Sequence, residues 1–156
     1  MRLFLVSLLL VICSACGFHL RGSVSVPAQY APVFVEYANQ ALGQVLQSLL
    51  NQQGFAAEDA TKAKSTIVLG STTWQKRILT MDASGQPIQY ELKLNALYSI
   101  QSADKQMLLD SENIVLSRDY SFSSDQLLAS DSEIQRIKDE LLLQAAQQVL
   151  RRLSFL

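Results

Sequence analysis

The sequence predicts an α+β domain: a two-layer sandwich, with two helices packed on one face of a mixed, largely antiparallel sheet, in the order β-α-β-β-β-α. Three observations carry this prediction. Residues 88–101 alternate apolar and polar side chains with a period of two, whereas 39–54 and 130–153 repeat apolar residues every three to four positions. Clusters of turn-forming residues separate the segments. A sheet with one apolar face and helices with one apolar stripe each must bury these against one another, and a two-layer stack does so.

The chain opens on a segment of another kind. Arg2, the apolar run Leu3 to Ile12 and the small residues Ser14 and Ala15 have the three-part layout of an export signal, over residues 1–15. The apolar run is half the length of a membrane-spanning helix, which needs roughly 20 residues. Small residues directly before Cys16 resemble the lipobox of bacterial lipoproteins, although Cys13 stands where leucine is usual. The resemblance implies that Cys16 becomes the first mature residue and carries diacylglycerol on sulfur and an acyl chain on nitrogen. In lipoproteins of double-membrane bacteria, a residue other than aspartate after that cysteine, here Gly17, favours the outer membrane.

Residues 16–32, "CGFHLRGSVSVPAQYAP", read as a lipidated tether, with Pro27 and Pro32 interrupting any regular pattern. The single domain then runs over 33–156. "VFVEY" is the first strand. In "NQALGQVLQSLLNQQG", Asn39 can cap a helix and Gly54 can end it in the left-handed conformation, with Leu42, Val45, Leu46, Leu49 and Leu50 on one stripe. Thr66 to Thr80 is β-branched and aromatic, and "DASGQP" turns it into the next strand as a hairpin.

In that next strand Ile88, Tyr90, Leu92, Leu94, Ala96, Tyr98 and Ile100 point one way, and Gln89, Glu91, Lys93, Asn95, Leu97, Ser99 and Gln101 the other. "SADKQ" turns the chain again. Ile114, Leu116, Arg118, Tyr120 and Phe122 mark a third long strand, whose apolar phase slips near Ser111 to Asn113, where a bulge would restore register. The strands are long enough for their hairpin tips to project beyond the helices. In the closing helix Ser130 and Glu133 fit a capping box, Ile134, Ile137, Leu141, Ala145, Val149 and Leu153 form the inward stripe, and Arg151 and Arg152 lie at the negative end of the dipole. A turn around Asp125 to Leu128 can also belong to that helix.

Composition narrows the function. Of 156 residues, 49% are apolar and 17% charged. Of 13 basic residues Arg2 leaves with the signal, against 14 acidic ones, so a nucleic-acid partner has no electrostatic support. The two cysteines are accounted for, Cys13 by the signal and Cys16 by acylation, which leaves no disulfide and makes the packed core the source of stability. A domain of this size buries roughly two thirds of its unfolded surface.

Catalysis fails by elimination. His19 is the one histidine, and no serine, cysteine or carboxylate stands near it at a spacing that would orient it. No clustered ligands suit zinc, no G-x-S-x-G elbow is present, and "GFHLRG" lacks the glycine and lysine arrangement of a phosphate loop. The chain reads as a non-enzyme with no metal or cofactor. Lys76, Arg77, Lys93 and Arg118 lie on strands, with Lys76 and Lys93 expected to approach one another across the hairpin. These four are candidates for an anionic ligand such as a lipid phosphate, against the alternative of a solvated polar face.

The start "CGFHLRG", the β-α-β-β-β-α order and the closing "QAAQQVLRRL" helix together resemble the LPS-assembly lipoprotein LptE family, also called rare lipoprotein B. The most specific element is Cys16 to Arg21. The resemblance implies an outer-membrane lipoprotein, with its domain facing the periplasm and barrel lumen, that plugs the LptD β-barrel, helps it assemble, binds lipopolysaccharide and aids its insertion at the cell surface. The alternative is a stand-alone periplasmic lipid- or glycan-binding lipoprotein without a barrel partner.

Overall fold

The structure, a computed structural model, describes residues 26–37, 41–121 and 127–156, with side chains from 131 onward in the last segment. The signal, Cys16, His19, Arg21, the Asn39 cap and Phe122 lie outside the described residues. The element order is β1 (Val33–Glu36), α1 (Ala41–Gln53), β2 (Ser65–Met81), β3 (Pro87–Ser102), β4 (Met107–Ser121) and α2 (Leu127–Leu153). The sheet order is β1-β2-β3-β4, with β1 parallel to β2 and the other pairs antiparallel. This is the mixed four-stranded sheet and two-helix layer that the periodicities predict.

Local chemistry sets the ends of the elements. Gly54, at φ 72°, closes α1: its N–H donates to Asn51 O, and Phe55 N–H reaches back to Leu50 O at 2.9 Å, the paired bonds of a Schellman turn. In the β2–β3 turn, Asp82 Oδ1 accepts from the N–H groups of Ser84 and Gln86, both at 2.8 Å, and Gly85 takes φ 82°. The closing helix begins earlier than its predicted capping box. Ser130 sits inside α2, and Glu133 pairs instead with Arg136 one turn on, at 2.6 Å.

The core lies between sheet and helices. Leu42, Leu46 and Leu50 of α1 and Ile137, Leu141, Ala145, Val149 and Leu153 of α2 are buried against Ile67, Leu94 and Ile100 of the sheet. A second buried row, Leu142, Ala146 and Leu150, lies one step around α2, and the two helices pack together. Residues 26–32, placed in the tether on sequence, lie against the domain: Val26 is buried, Ser65 Oγ donates to Tyr30 O at 2.8 Å, and Lys64 Nζ donates to Ala28 O at 3.0 Å.

Two bulges decide which side chains share a face. In β4 the partners of Tyr98 and Ile100 are Glu112 and Leu109, so one extra residue sits at Asp110–Ser111. The inward set changes there from Leu109 to Ile114 and Tyr120, next to the expected position. In β2 the partners of Tyr98 and Ala96 are Leu69 and Thr72, and the extra residue falls at Gly70–Ser71. Before it Ser65, Ile67 and Leu69 point inward; after it Thr72, Trp74, Lys76 and Ile78 do. Beyond the helices the hairpin runs on with Ile78, Met81 and Ile88 exposed.

Gly43 allows a close approach. The Tyr37 ring lies on the α1 backbone at Gly43, where an added Cβ would fall onto the ring carbons. Alanine is favoured over glycine inside a helix by about 0.8–1 kcal/mol, but overpacking costs about 1–3 kcal/mol. Gly43→Ala is therefore expected to destabilise by about 1 kcal/mol in chemical denaturation, the reverse of the sign that helix propensity alone gives.

Candidate functional site

The four basic candidates divide between the two faces of the sheet. Lys76, Leu92 and Arg118 are register neighbours on three successive strands, on the face that carries the helices. Arg77, Glu91 and Asp119 form the next row, on the opposite face, and Lys93 stands on that same outer face between Gln75 and Ser117. The expected approach of Lys76 to Lys93 does not occur. The Gly70–Ser71 bulge turns Lys76 inward, whereas the unbroken alternation of β3 turns Lys93 outward.

On the helix side, at the sheet end beyond the packed core, Lys76 meets aromatic rings. Its Nζ lies 3.9 Å from the Tyr90 ring centroid and 5.8 Å from that of Tyr120, and the two rings stack at 5.6 Å with an interplanar angle of 21°. From α2, Lys138 Nζ lies 5.9 Å from the Trp74 ring, and Glu140 stands 4.0 Å from Arg118 while also pairing with Arg136. The Tyr120 hydroxyl is buried and has no hydrogen-bond partner among the described residues. A buried hydroxyl without a partner is costly. Cations at the rim, aromatic faces within and one unsatisfied hydroxyl suit an amphiphile with an anionic head and an apolar body.

The outer face has other chemistry. No element covers it among the described residues, and Thr73, Gln75, Asn95, Ser99, Asn113 and Ser117 dominate it. Arg77 and Glu91 form an ion pair across it, at 3.2 Å. Leu97, 37% exposed, lies over Gly70 and with Val115 forms a small apolar spot in that polar field. No group of three or more possible metal ligands occurs among the described residues.

Sequence reasoning missed the aromatic pair and the contribution of Lys138. The β3 alternation already put Tyr90 beside Leu92, so half of the site was readable. The bulge that delivers Lys76 to it was not. Also missed was a latch at the far end of α2: Arg152 Nε and Nη2 donate to Glu112 Oε1 at 3.1 and 3.0 Å, and the Tyr98 hydroxyl donates to Oε2 at 3.0 Å. Arg152 above all, with help from Tyr98, holds the Glu112 carboxyl below its usual range against the opposing effect of desolvation, and burial, then Glu112, push the Tyr98 phenol up. A lowered carboxyl stabilises the fold above the ordinary glutamate range and loses that contribution as pH falls through its folded value. Protection of the amides over 149–153, relative to an unstructured chain at the same pH, is therefore expected to fall as the pH drops below the ordinary glutamate range, and Glu112→Gln is expected to remove that pH dependence.

Among the described residues, no helix is long and apolar enough to cross a membrane. Comparison with known proteins agrees with the fold and adds the family. The family model described as "LptE: Lipopolysaccharide-assembly" matches residues 23–153. The LPS-assembly lipoprotein LptE of Pectobacterium atrosepticum is 27% identical over 165 residues, spanning 97% of this chain and 85% of that protein. The solution structure of an uncharacterized lipoprotein B from Nitrosomonas europaea superposes with a TM-score of 0.73 at 27% identity, over 88% of this chain and 90% of that one. A rare lipoprotein B from Shewanella oneidensis, 19% identical, shares the fold at a TM-score of 0.67 over 77% and 91% of the two chains. With a match over most of its length and an architecture in common with these lipoproteins, the chain belongs to the lipopolysaccharide-assembly LptE family.

Proposed function

We propose that this chain is a non-catalytic outer-membrane lipoprotein, anchored through acylated Cys16, that plugs an LptD-type β-barrel, helps it assemble, and binds lipopolysaccharide on its way to the cell surface. The observation that carries the plug reading is the bare polar outer face of the sheet. The interior of a large outer-membrane barrel is wet and polar, and a hydroxyl- and amide-rich surface meets such a wall without large desolvation cost. Photo-crosslinkers at Asn95, Ser99 and Gln101 in living cells are expected to trap one large barrel protein. Crosslinks to peptidoglycan, or to nothing, would favour the stand-alone lipoprotein instead.

Lipopolysaccharide carries phosphates and acyl chains together. The Lys76, Tyr90 and Tyr120 cluster, with Arg118 and Lys138 beside it, supplies charge and apolar area side by side, and supports a binding role there. Arg77 and Lys93, on the outer face, fit barrel contact better. Charge-assisted hydrogen bonds contribute about 1.5–3 kcal/mol, so Lys76→Glu is expected to weaken lipopolysaccharide binding roughly tenfold or more, and Arg77→Glu much less. Equal losses in a direct binding titration would take the ligand away from the helix side.

A further inference from the structure

We propose that the barrel wall covers two adjoining faces of this domain, the outer face of the sheet and the charge-free flank of α1, and leaves the charged back of α2 turned to the open, water-filled part of the lumen. This orientation rests on the plug reading. Charge is spread unevenly over the molecule. Residues 22–57 hold one charged side chain, Glu36, where the chain average of 17% would give about six. The 13 residues of α1 include none, and the 27 of α2 include eight.

The period of α1 gathers its neutral polar side chains on one surface. Leu42, Leu46 and Leu50 are buried, and Gln44, Ser48, Asn51 and Gln52 are exposed on the other side of the helix. Gln52 Nε2 donates to Ser48 Oγ at 3.3 Å, across one turn. Such a surface has no fixed sign, because amides and hydroxyls both donate and accept. Acids in the first turn and bases in the last favour a helix in water; α1 has neither, whereas α2 ends on Arg151 and Arg152. A surface kept in water is best served by about 25–35% charged residues, and this one has none.

Desolvation decides which flank a wall can cover. Covering a charge without a partner is expensive, whereas covering an amide costs little once the wall returns a hydrogen bond. The interior wall of an outer-membrane barrel is polar and returns such bonds. A bilayer core does not, so lipid does not suit this face. Open strand edges do not choose between the flanks, since β2 beyond Val68 and all of β4 lack a strand on their outer side among the described residues. Position and charge do. α1 packs on β1, and α2 on β3 and β4, so the neutral flank adjoins the outer sheet face around the β1 edge, and a concave wall reaches both. On the far side Arg136, Asp139 and Arg151 are exposed on α2 and keep their water. Lys138, beside Trp74, then leaves the aromatic cluster open to that water and not to the wall.

The test uses the full-length lipoprotein in living cells, with a benzophenone photo-crosslinker at one position at a time. Gln44, Ser48 and Asn51 on α1 are expected to trap the same barrel protein as Asn95 on the outer sheet face, at least about fivefold more than Gln135 and Asp139, exposed on α2. Equal yields from the two helices, or α1 yields at background while Asn95 still traps the barrel, overturn the orientation and leave the plug standing. Crosslinks from α1 to peptidoglycan overturn it as well, and give the neutral face to a glycan. If neither Asn95 nor α1 traps a barrel, plug and orientation fall together. Added charge supplies the second measurement, at equal levels of each variant in the envelope. Gln44→Lys with Asn51→Lys is expected to cut co-purification of the barrel at least about fivefold, while Gln44→Asn with Asn51→Gln, and Gln135→Glu with Asp139→Lys, leave it unchanged. Full co-purification of the α1 lysine variant overturns the proposal.

Discussion

Exported behind a signal that ordinary signal peptidase removes, carrying Cys16→Ala and made in large excess over any barrel partner, the chain is expected to collect in the soluble periplasmic fraction, whereas the unsubstituted chain made in the same excess is expected to stay in the membrane pellet. One acyl chain gives only marginal attachment, with each buried methylene contributing about 0.8 kcal/mol; a second or third chain makes attachment effectively permanent. Nothing among the described residues replaces them as a lipid anchor. No helix among the described residues is long and apolar enough to span, and the 14 acidic residues outnumber the 13 basic ones, which gives the chain no net attraction to anionic headgroups. The exchanged signal matters because an uncut Leu3 to Ile12 run could itself linger in the bilayer. Intact mass of the wild-type terminus is the companion measurement: fatty acids on Cys16 are expected, and an unmodified thiol would remove the anchor from the account.

Much of the fold was legible because β3 obeys one rule from Leu92 to Ile100, although Ile88, expected on the same inward set, is exposed at the hairpin end. Leu92, Leu94, Ala96, Tyr98 and Ile100 are buried as their alternation requires, and the β4 phase slip announced a bulge that the structure places at Asp110–Ser111. The α1 stop at Gly54 was equally readable, since a glycine after a helical stripe has one common use. The candidate site was less so. A bulge at Gly70–Ser71 inside a β-branched run, apolar before it and mixed after it, leaves no clean slip to detect, yet it decides whether Lys76 faces helices or solvent. Contacts between α2 and the sheet, such as Lys138 with Trp74 and Arg152 with Glu112, join residues dozens of positions apart. Periodicity names the face a residue occupies; it does not name the partner.

Leu94→Ala is expected to cost about 3–5 kcal/mol of unfolding free energy, while Leu97→Ala, three residues along the same strand, is expected to cost less than about 1 kcal/mol. Leu94 is completely buried in a central strand, between Trp74 and Leu116 in register and under the helices. Truncation there removes transfer energy and leaves a cavity that a β-strand tied on both sides cannot close. Leu97 points to the outer face, 37% exposed over Gly70. Domains of this size are stable by about 5–15 kcal/mol, so the first change consumes a large share of the total and is expected to lower the melting temperature by about 10 °C. Near-equal losses would mean that the outer face carries core-like burial and is no free docking surface. With Leu97→Ala folded, a loss of barrel crosslinking from Asn95 and Ser99 would instead separate the docking role of that face from its contribution to stability.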